Sequence, residues 1–513
     1  MPATLLISSG FVLIAFILWR YAGKGRYLSL SLPPGPPSDP LIGHLRVAPL
    51  KNHAEVYREW SKQYGDVLYL SVLGKSIVIL NSEEAAVELL DKRSAIYSDR
   101  PRFPMQDFIG WTDVLVFLPY GEQFQRQRRL LHHPLGRQEI IKFQHVQVAQ
   151  ARMLLQKFLD DPLAFEHHTK RFSVSVIMEI TYGHRIISDD DPYIAIAEGV
   201  NHISTQSGTP GMTPVDVFPF LRYLPPWFPG AWFIRVAQEA QPIIQTLRTY
   251  PLEEVRKQMA AGTAAPSFLS LHLEELSQRH APEEEINDVN TAALHMYSAG
   301  GDTTLSEIQT FLLAMLVYPD VQRKAQQEID RVVGNDRLPD FSDMDSLPYV
   351  YAALWESIRW KQGAPLGVPH ATTTDDMYRG MFIPKGSMVV ANVRAMTLDE
   401  NTYADPHRFY PERFLPKPEG NGEPYPECAF GFGRRKCPGR FLGENSLWIV
   451  AVSVLSAFDI TKAVDENGQE IMPDLEYATG VTSHPKSFVC NIQPRSSGAA
   501  ALIRRAFREE GSI

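Results

Sequence analysis

Three short runs of this chain carry residue types at spacings that could do chemistry. The first is Ala429-Phe430-Gly431-Phe432-Gly433-Arg434-Arg435-Lys436-Cys437-Pro438-Gly439-Arg440. Its glycines let the backbone turn tightly and come close to a flat ligand. Cys437 stands just ahead of Pro438 and Gly439, where a helix can begin. Backbone N–H groups at a helix start and the neighbouring arginines both favour thiolate over thiol, as a metal ligand requires. The plainer alternative is a buried apolar cysteine in a glycine-rich turn. The second run is Ala299-Gly300-Gly301-Asp302-Thr303-Thr304, inside an apolar helical pattern. Two glycines in a helix interior cost about 1 kcal/mol each relative to alanine, so something must offset them. Small residues there admit a flat ligand and open a groove for oxygen and water, and an acid followed by a hydroxyl makes a proton relay. A kink or C-cap accounts for the glycine pair taken alone. The third run is Glu356-Ser357-Ile358-Arg359, whose two charges share a helix face. Taken alone it is a solvated surface pair.

These residues need a scaffold, and the apolar spacing describes one. Helical periodicity runs through Gln144–Leu159, Thr169–Tyr182, Ala231–Met259, Glu285–Val317, Asp320–Val333 and Tyr349–Trp360. The run from Phe441 to Phe458 is apolar enough to be a buried helix. Short β-rich pieces lie at Val67–Leu73, Ser76–Leu80 and Met388–Ala391. The predicted fold is mainly α, one large helix-rich domain with small β-sheets. Among 513 residues only Cys428, Cys437 and Cys490 are cysteines, too few for a disulfide framework and too scattered for a zinc site. A net charge of -9 argues against nucleic acid as the main partner. Leu5 to Trp19 carries no charge, Ala3 and Thr4 extend it, and Arg20, Lys24 and Arg26 follow. Residues 3–22 therefore read as a transmembrane signal-anchor, just at the lower length limit, with the C-terminal side in the cytosol. Residues 32–37 (Leu-Pro-Pro-Gly-Pro-Pro) form a stiff hinge, residues 38–495 the catalytic body, and residues 496–513 a C-terminal tail.

The cysteine run resembles the F-x-x-G-x-x-x-C-x-G signature of the cytochrome P-450 family, with Phe430, Gly433, Cys437 and Gly439 at the fixed positions and Arg435 at a frequent one. The glycine–acid–threonine run and Phe409-Tyr410-Pro411-Glu412-Arg413-Phe414 resemble further family motifs, and the likeness extends from the proline hinge to about Asn491. The resemblance implies haem b, with Cys437 as the thiolate ligand of its iron. It assigns Asp302 and Thr303 to oxygen activation and makes Glu356, Arg359 and Arg413 a buried structural network. It implies propionate contacts from Arg435, Arg128 and His370, with Phe124 standing where the family usually has tryptophan. Pocket residues implied in the same way are Phe108, Trp111, His295, Ala299, Val368 and Thr479. His295, Ala299 and Thr303 are spaced by four and share a face, with His295 a candidate polar anchor for substrate.

Two basic groups, Arg126, Arg128, Arg129 and Arg137 on one element and Arg434, Arg435, Lys436 and Arg440 around the cysteine, resemble a docking face for an NADPH-cytochrome reductase. The stretch Val217 to Phe233 looks like a lipid-dipping loop at the endoplasmic reticulum membrane. The implied activity is monooxygenation of a lipophilic small molecule. Pro369-His370, Tyr378-Arg379-Gly380 and Ile383-Pro384-Lys385-Gly386 look most like fungal microsomal members of secondary metabolism. Two alternatives stand beside it: a peroxide-using haem-thiolate isomerase or dehydratase, and a non-catalytic haem- or lipid-binding protein. The retained Asp302–Thr303 pair counts against both.

Overall fold

The computed structural model describes residues 30–510, apart from 209, 210, 212, 479 and 481. The expected anchor at 3–22 and the pocket residue Thr479 lie outside the described residues. No helix among the described residues is long and apolar enough to cross a membrane.

Nine helices position the site: α1 Glu122–His132, α2 Gln144–Asp160, α3 Phe165–Tyr182, α4 Trp232–Ala261, α5 Glu283–Val317, α6 Pro319–Val332, α7 Pro348–Trp360, α8 Arg440–Ala457 and α9 Ser497–Glu510. The centre is α5. Glu283, Glu284 and Glu285 in its first turn complement the helix dipole. Pro319 ends it and opens α6 at a position where a missing N–H costs nothing. Between those ends α5 is buried on nearly every side, as an almost uniformly apolar helix must be. It packs on α3, α1, α8 and α7.

Strands β1 Val67–Val72, β2 Lys75–Leu80, β3 His370–Ala371, β4 Asp376–Tyr378, β5 Met381–Ile383, β6 Met388–Ala391, β7 Phe458–Lys462 and β8 Cys490–Pro494 make small sheets. The largest has the order β1-β2-β6-β3. β1 and β2 are antiparallel with Val67 opposite Leu80, β2 and β6 are parallel with Ile77 opposite Met388, and β3 is antiparallel to β6 with His370 opposite Val389. Alternate residues leave on opposite faces. Val67, Val78, Leu80 and Val389 join one apolar cluster, while Leu68, Ile77, Ile79 and Val390 join another. The helices share one larger core around the fully buried Trp448.

Three expectations change. The stretch read as a C-terminal tail contains α9, which packs on α2 with Ile503 buried and Arg505 donating to the Asp336 carbonyl. Arg137, expected on the same element as Arg126, Arg128 and Arg129, lies beyond α1, which stops at His132 just before His133-Pro134. The aromatic stretch divides. Trp227 is 78% exposed and Phe228 is exposed too, whereas Phe233 is buried and Trp232 packs against the core as α4 begins.

Candidate active site

Cys437 is placed by a loop that the sequence has little freedom to change. Gly433 has φ +51°, and a side chain there would strike the Leu90 carbonyl. The Cys437 N–H donates to the Phe430 carbonyl at 2.8 Å, closing the turn, and α8 starts three residues on. Burial pushes the Cys437 thiol up, while the Gly439 backbone N–H, Arg128 and Arg440 pull it down. The net direction is up, so the charges alone do not secure the thiolate expected from the sequence. A coordinated metal ion would, because a ligating thiol loses its proton outright.

One cavity of about 150 Å³ joins this loop to α5. Cys437, Phe430 and Gly439 line it together with His295, Ala299, Gly300 and Thr303. Thr303 is exposed in the middle of a buried helix because its face opens on this space, and its hydroxyl donates to the Ala299 carbonyl at 2.8 Å. The glycine pair has a further use. A side chain at Gly300 would meet Ile177 of α3 at 3.0 Å, so the small residues admit a neighbouring helix as well as a ligand. His295 is buried, its Nδ1 has no hydrogen-bond partner, and desolvation helped by nearby Arg128 lowers its pKa to about 4. It is neutral at neutral pH.

Asp302 belongs to the next face of the helix and does not line that cavity; its Oδ1 lies 3.0 Å from His484 Nε2. Phe108 and Trp111 do not line it either; both pack in the helical core. Val368 borders a separate cavity of about 200 Å³ with Leu366, Pro369, Tyr477 and Ser483.

A second group of residues asks for an anion. Arg435 donates to the carbonyls of Ser98 and Leu118 and lies 3.7 Å from the ring centre of Phe124. Phe124 therefore serves as its platform. Arg128 donates to the Lys436 carbonyl, and His370, on β3, has its Nδ1 2.8 Å from the Tyr97 carbonyl. Arg100, which has no sequence motif to announce it, is buried and donates to the carbonyls of Val116, Val368 and Pro369. Desolvation, then repulsion from Arg128, draws Arg435 down to about 9 despite the pull of Asp99. Arg100 falls well below its ordinary value through burial and then Arg435, and His370 through burial and then Arg100. Three guanidiniums resting on neutral carbonyls fit a ligand with two carboxylates, such as the propionates of haem.

Glu356, Arg359 and Arg413 are fully buried together. Arg359 grips Glu356 through two hydrogen bonds of 2.7 and 2.9 Å, and Arg413 Nε reaches the same carboxylate at 3.1 Å. Glu423, which carries no motif, accepts from Arg413 at 2.7 Å and balances the second guanidinium. Glu307 is a further unannounced acid. Burial raises its carboxyl to about 8; Oε1 accepts from the Gly363 N–H, and Oε2 has no hydrogen-bond partner.

The profile of the family described as Cytochrome P450 matches residues 33–491. Cytochrome P450 monooxygenase 208 of Postia placenta is 40% identical over 495 residues, covering 96% of each chain. Cytochrome P450 monooxygenase COX2 of Coprinopsis cinerea is 39% identical over 502 residues, covering 97% of this chain and 94% of its own. Cytochrome P450 monooxygenase ple1 of Rhodocybe pseudopiperita is 40% identical over 479 residues, covering 92% and 91%.

Proposed function

The chain belongs to the cytochrome P450 family and is an oxidoreductase of its monooxygenase type, and on that premise we propose that it inserts one atom of O2 into a lipophilic small molecule, with electrons from NADPH through a membrane-bound reductase. The observation that carries this reading is one cavity shared by Cys437 and the hydroxyl-bearing face of α5.

Haem b, the cofactor the family implies, supplies oxygen binding and electron storage when bound. Cys437 would hold its iron, and Arg100, Arg128, Arg435 and His370 would receive its propionates. Thr303 holds a proton at Oγ1 on the cavity wall, and Asp302, one residue earlier, takes up its replacement from solvent. Ala299, Ile177 and Leu442 give the cavity around that proton an apolar lining. His295, neutral and unpaired, offers a hydrogen-bonding point to a substrate oxygen or nitrogen.

The body at 38–495 is the catalytic domain in this reading, held at the endoplasmic reticulum membrane by residues 3–22 with the body toward the cytosol. Exposed Phe220, Tyr223 and Trp227, together with Leu45 and Leu50, support an apolar surface lying on the bilayer. The relatives are fungal, and the resemblance of Pro369-His370, Tyr378-Arg379-Gly380 and Ile383-Pro384-Lys385-Gly386 to fungal secondary-metabolism members puts a terpenoid, polyketide or alkaloid first among substrates. Binding spectra against libraries of those three classes would find the ligand. Turnover with reductase, NADPH and isotope-labelled O2 should then place one labelled atom in the product. Turnover with peroxide alone, and none with reductase, would overturn the reading in favour of an isomerase or dehydratase.

A further inference from the structure

Asp302, Ser306 and Thr310 recur every four residues along α5 and so form one face, beside the face of Ala299 and Thr303 that lines the cavity. All three are tied to two chain segments that close on each other near the C-terminal end of the body. His484 Nε2 meets Asp302 Oδ1 at 3.0 Å, the Ser306 hydroxyl donates to the Ser483 carbonyl at 2.5 Å, and the Thr310 and Tyr477 hydroxyls lie 3.1 Å apart. The segments are paired by the Ala478 N–H on the His484 carbonyl at 2.8 Å and the Lys486 N–H on the Glu476 carbonyl at 3.0 Å. The Ser483 N–H then reaches the Gly363 carbonyl at 2.7 Å, and the Gly363 N–H in turn donates to Glu307 Oε1.

We propose that His484 is a positioning residue for oxygen activation: it holds the Asp302 carboxylate on the flank of Thr303. The geometry favours positioning over simple stapling, because Ser306 and Thr310 already tie the segments to α5 without involving the acid. The inference rests on the reading that Asp302 and Thr303 form the proton route.

The test uses the full-length holoprotein and two measurements. Hydrogen exchange at the amides of Ala478 and Ser483, which donate to the His484 and Gly363 carbonyls, reports whether the segments stay paired and docked. The share of NADPH electrons released as hydrogen peroxide, with reductase and no added substrate, reports proton delivery. His484→Ala should speed exchange about tenfold, the loss of one hydrogen bond to a charged group, and raise the peroxide share. His484→Gln, which keeps an N–H donor, should restore both. Faster exchange with an unchanged peroxide share makes His484 a staple only and overturns the proposal, as does no change in either. Asp302→Asn separates the premise. If it leaves the peroxide share unchanged, the proton-route reading itself fails and takes the proposal with it, while exchange still reports whether the pair closes the segments.

Discussion

Cys437 and His295 show how burial and charge compete at single side chains. The positive surroundings of Cys437 are present as expected, yet burial outweighs them in the protein alone. Cys437→Ser should therefore lose the thiolate-type absorption band of the reduced carbon monoxide complex while far-ultraviolet dichroism stays native. His295 carries a pH signature. Its pKa is about 4 when folded against an ordinary 6.5. As pH falls through 6.5 the unfolded chain takes up a proton that the folded chain refuses until about 4. Stability therefore drops across that window, by on the order of 3 kcal/mol in full, and the loss is absent above it. Urea midpoints for His295→Gln should fall less between about pH 7 and pH 5 than those of the unchanged protein. An equal fall in both would refute the assignment.

At the scale of elements, the network of Glu356, Arg359 and Arg413 ties α7 to the segment around Tyr410, whose N–H also donates to Glu356. Glu356→Gln leaves two buried guanidiniums with Glu423 alone and should cost about 3–5 kcal/mol in chemical denaturation. The cysteine loop makes a different demand. Gly433→Ala adds one methyl against the Leu90 carbonyl at positive φ, so the loop must shift. Haem content per chain should fall more steeply than overall stability, as Soret absorbance against calorimetry would report. Equal falls in the two would place the strain elsewhere. The E-x-x-R pair was legible because the helix repeat dictates it. Glu423 was not, since its role depends on where a loop ten residues past Arg413 happens to fold.

Across the whole molecule, the cationic face proposed for a reductase is smaller than the run of arginines suggests. Arg126 is bound to Glu284 and Asp288 at the start of α5, and Lys436 to Glu427. Exposed Arg129, Arg137 and Arg434 are left facing outward, Arg137 over the Phe441 ring and Arg434 over Tyr120. Arg129→Glu with Arg137→Glu should raise the KM for reductase about tenfold and flatten its salt dependence, with kcat at saturating reductase unchanged. Arg126→Glu should act mainly on stability. Unchanged reductase kinetics in the double variant would move the docking site elsewhere.

The sequence by itself determined the chemistry carried by local spacing. The turn that presents Cys437, the helix that carries Thr303 and the pairing of Glu356 with Arg359 all follow from residues within a few positions of one another. Periodicity did the same for the major helices, because each buries its own stripe. The tertiary structure alone decided which distant groups meet. Arg100 reaches the Val368 carbonyl across 268 positions, and His484 joins Asp302 across 182. No local pattern marks such partners, because burial against a remote surface is what makes a charge need one. That is also why Asp302 proved to be held by His484, while only Thr303 opens on the cavity it shares with Cys437.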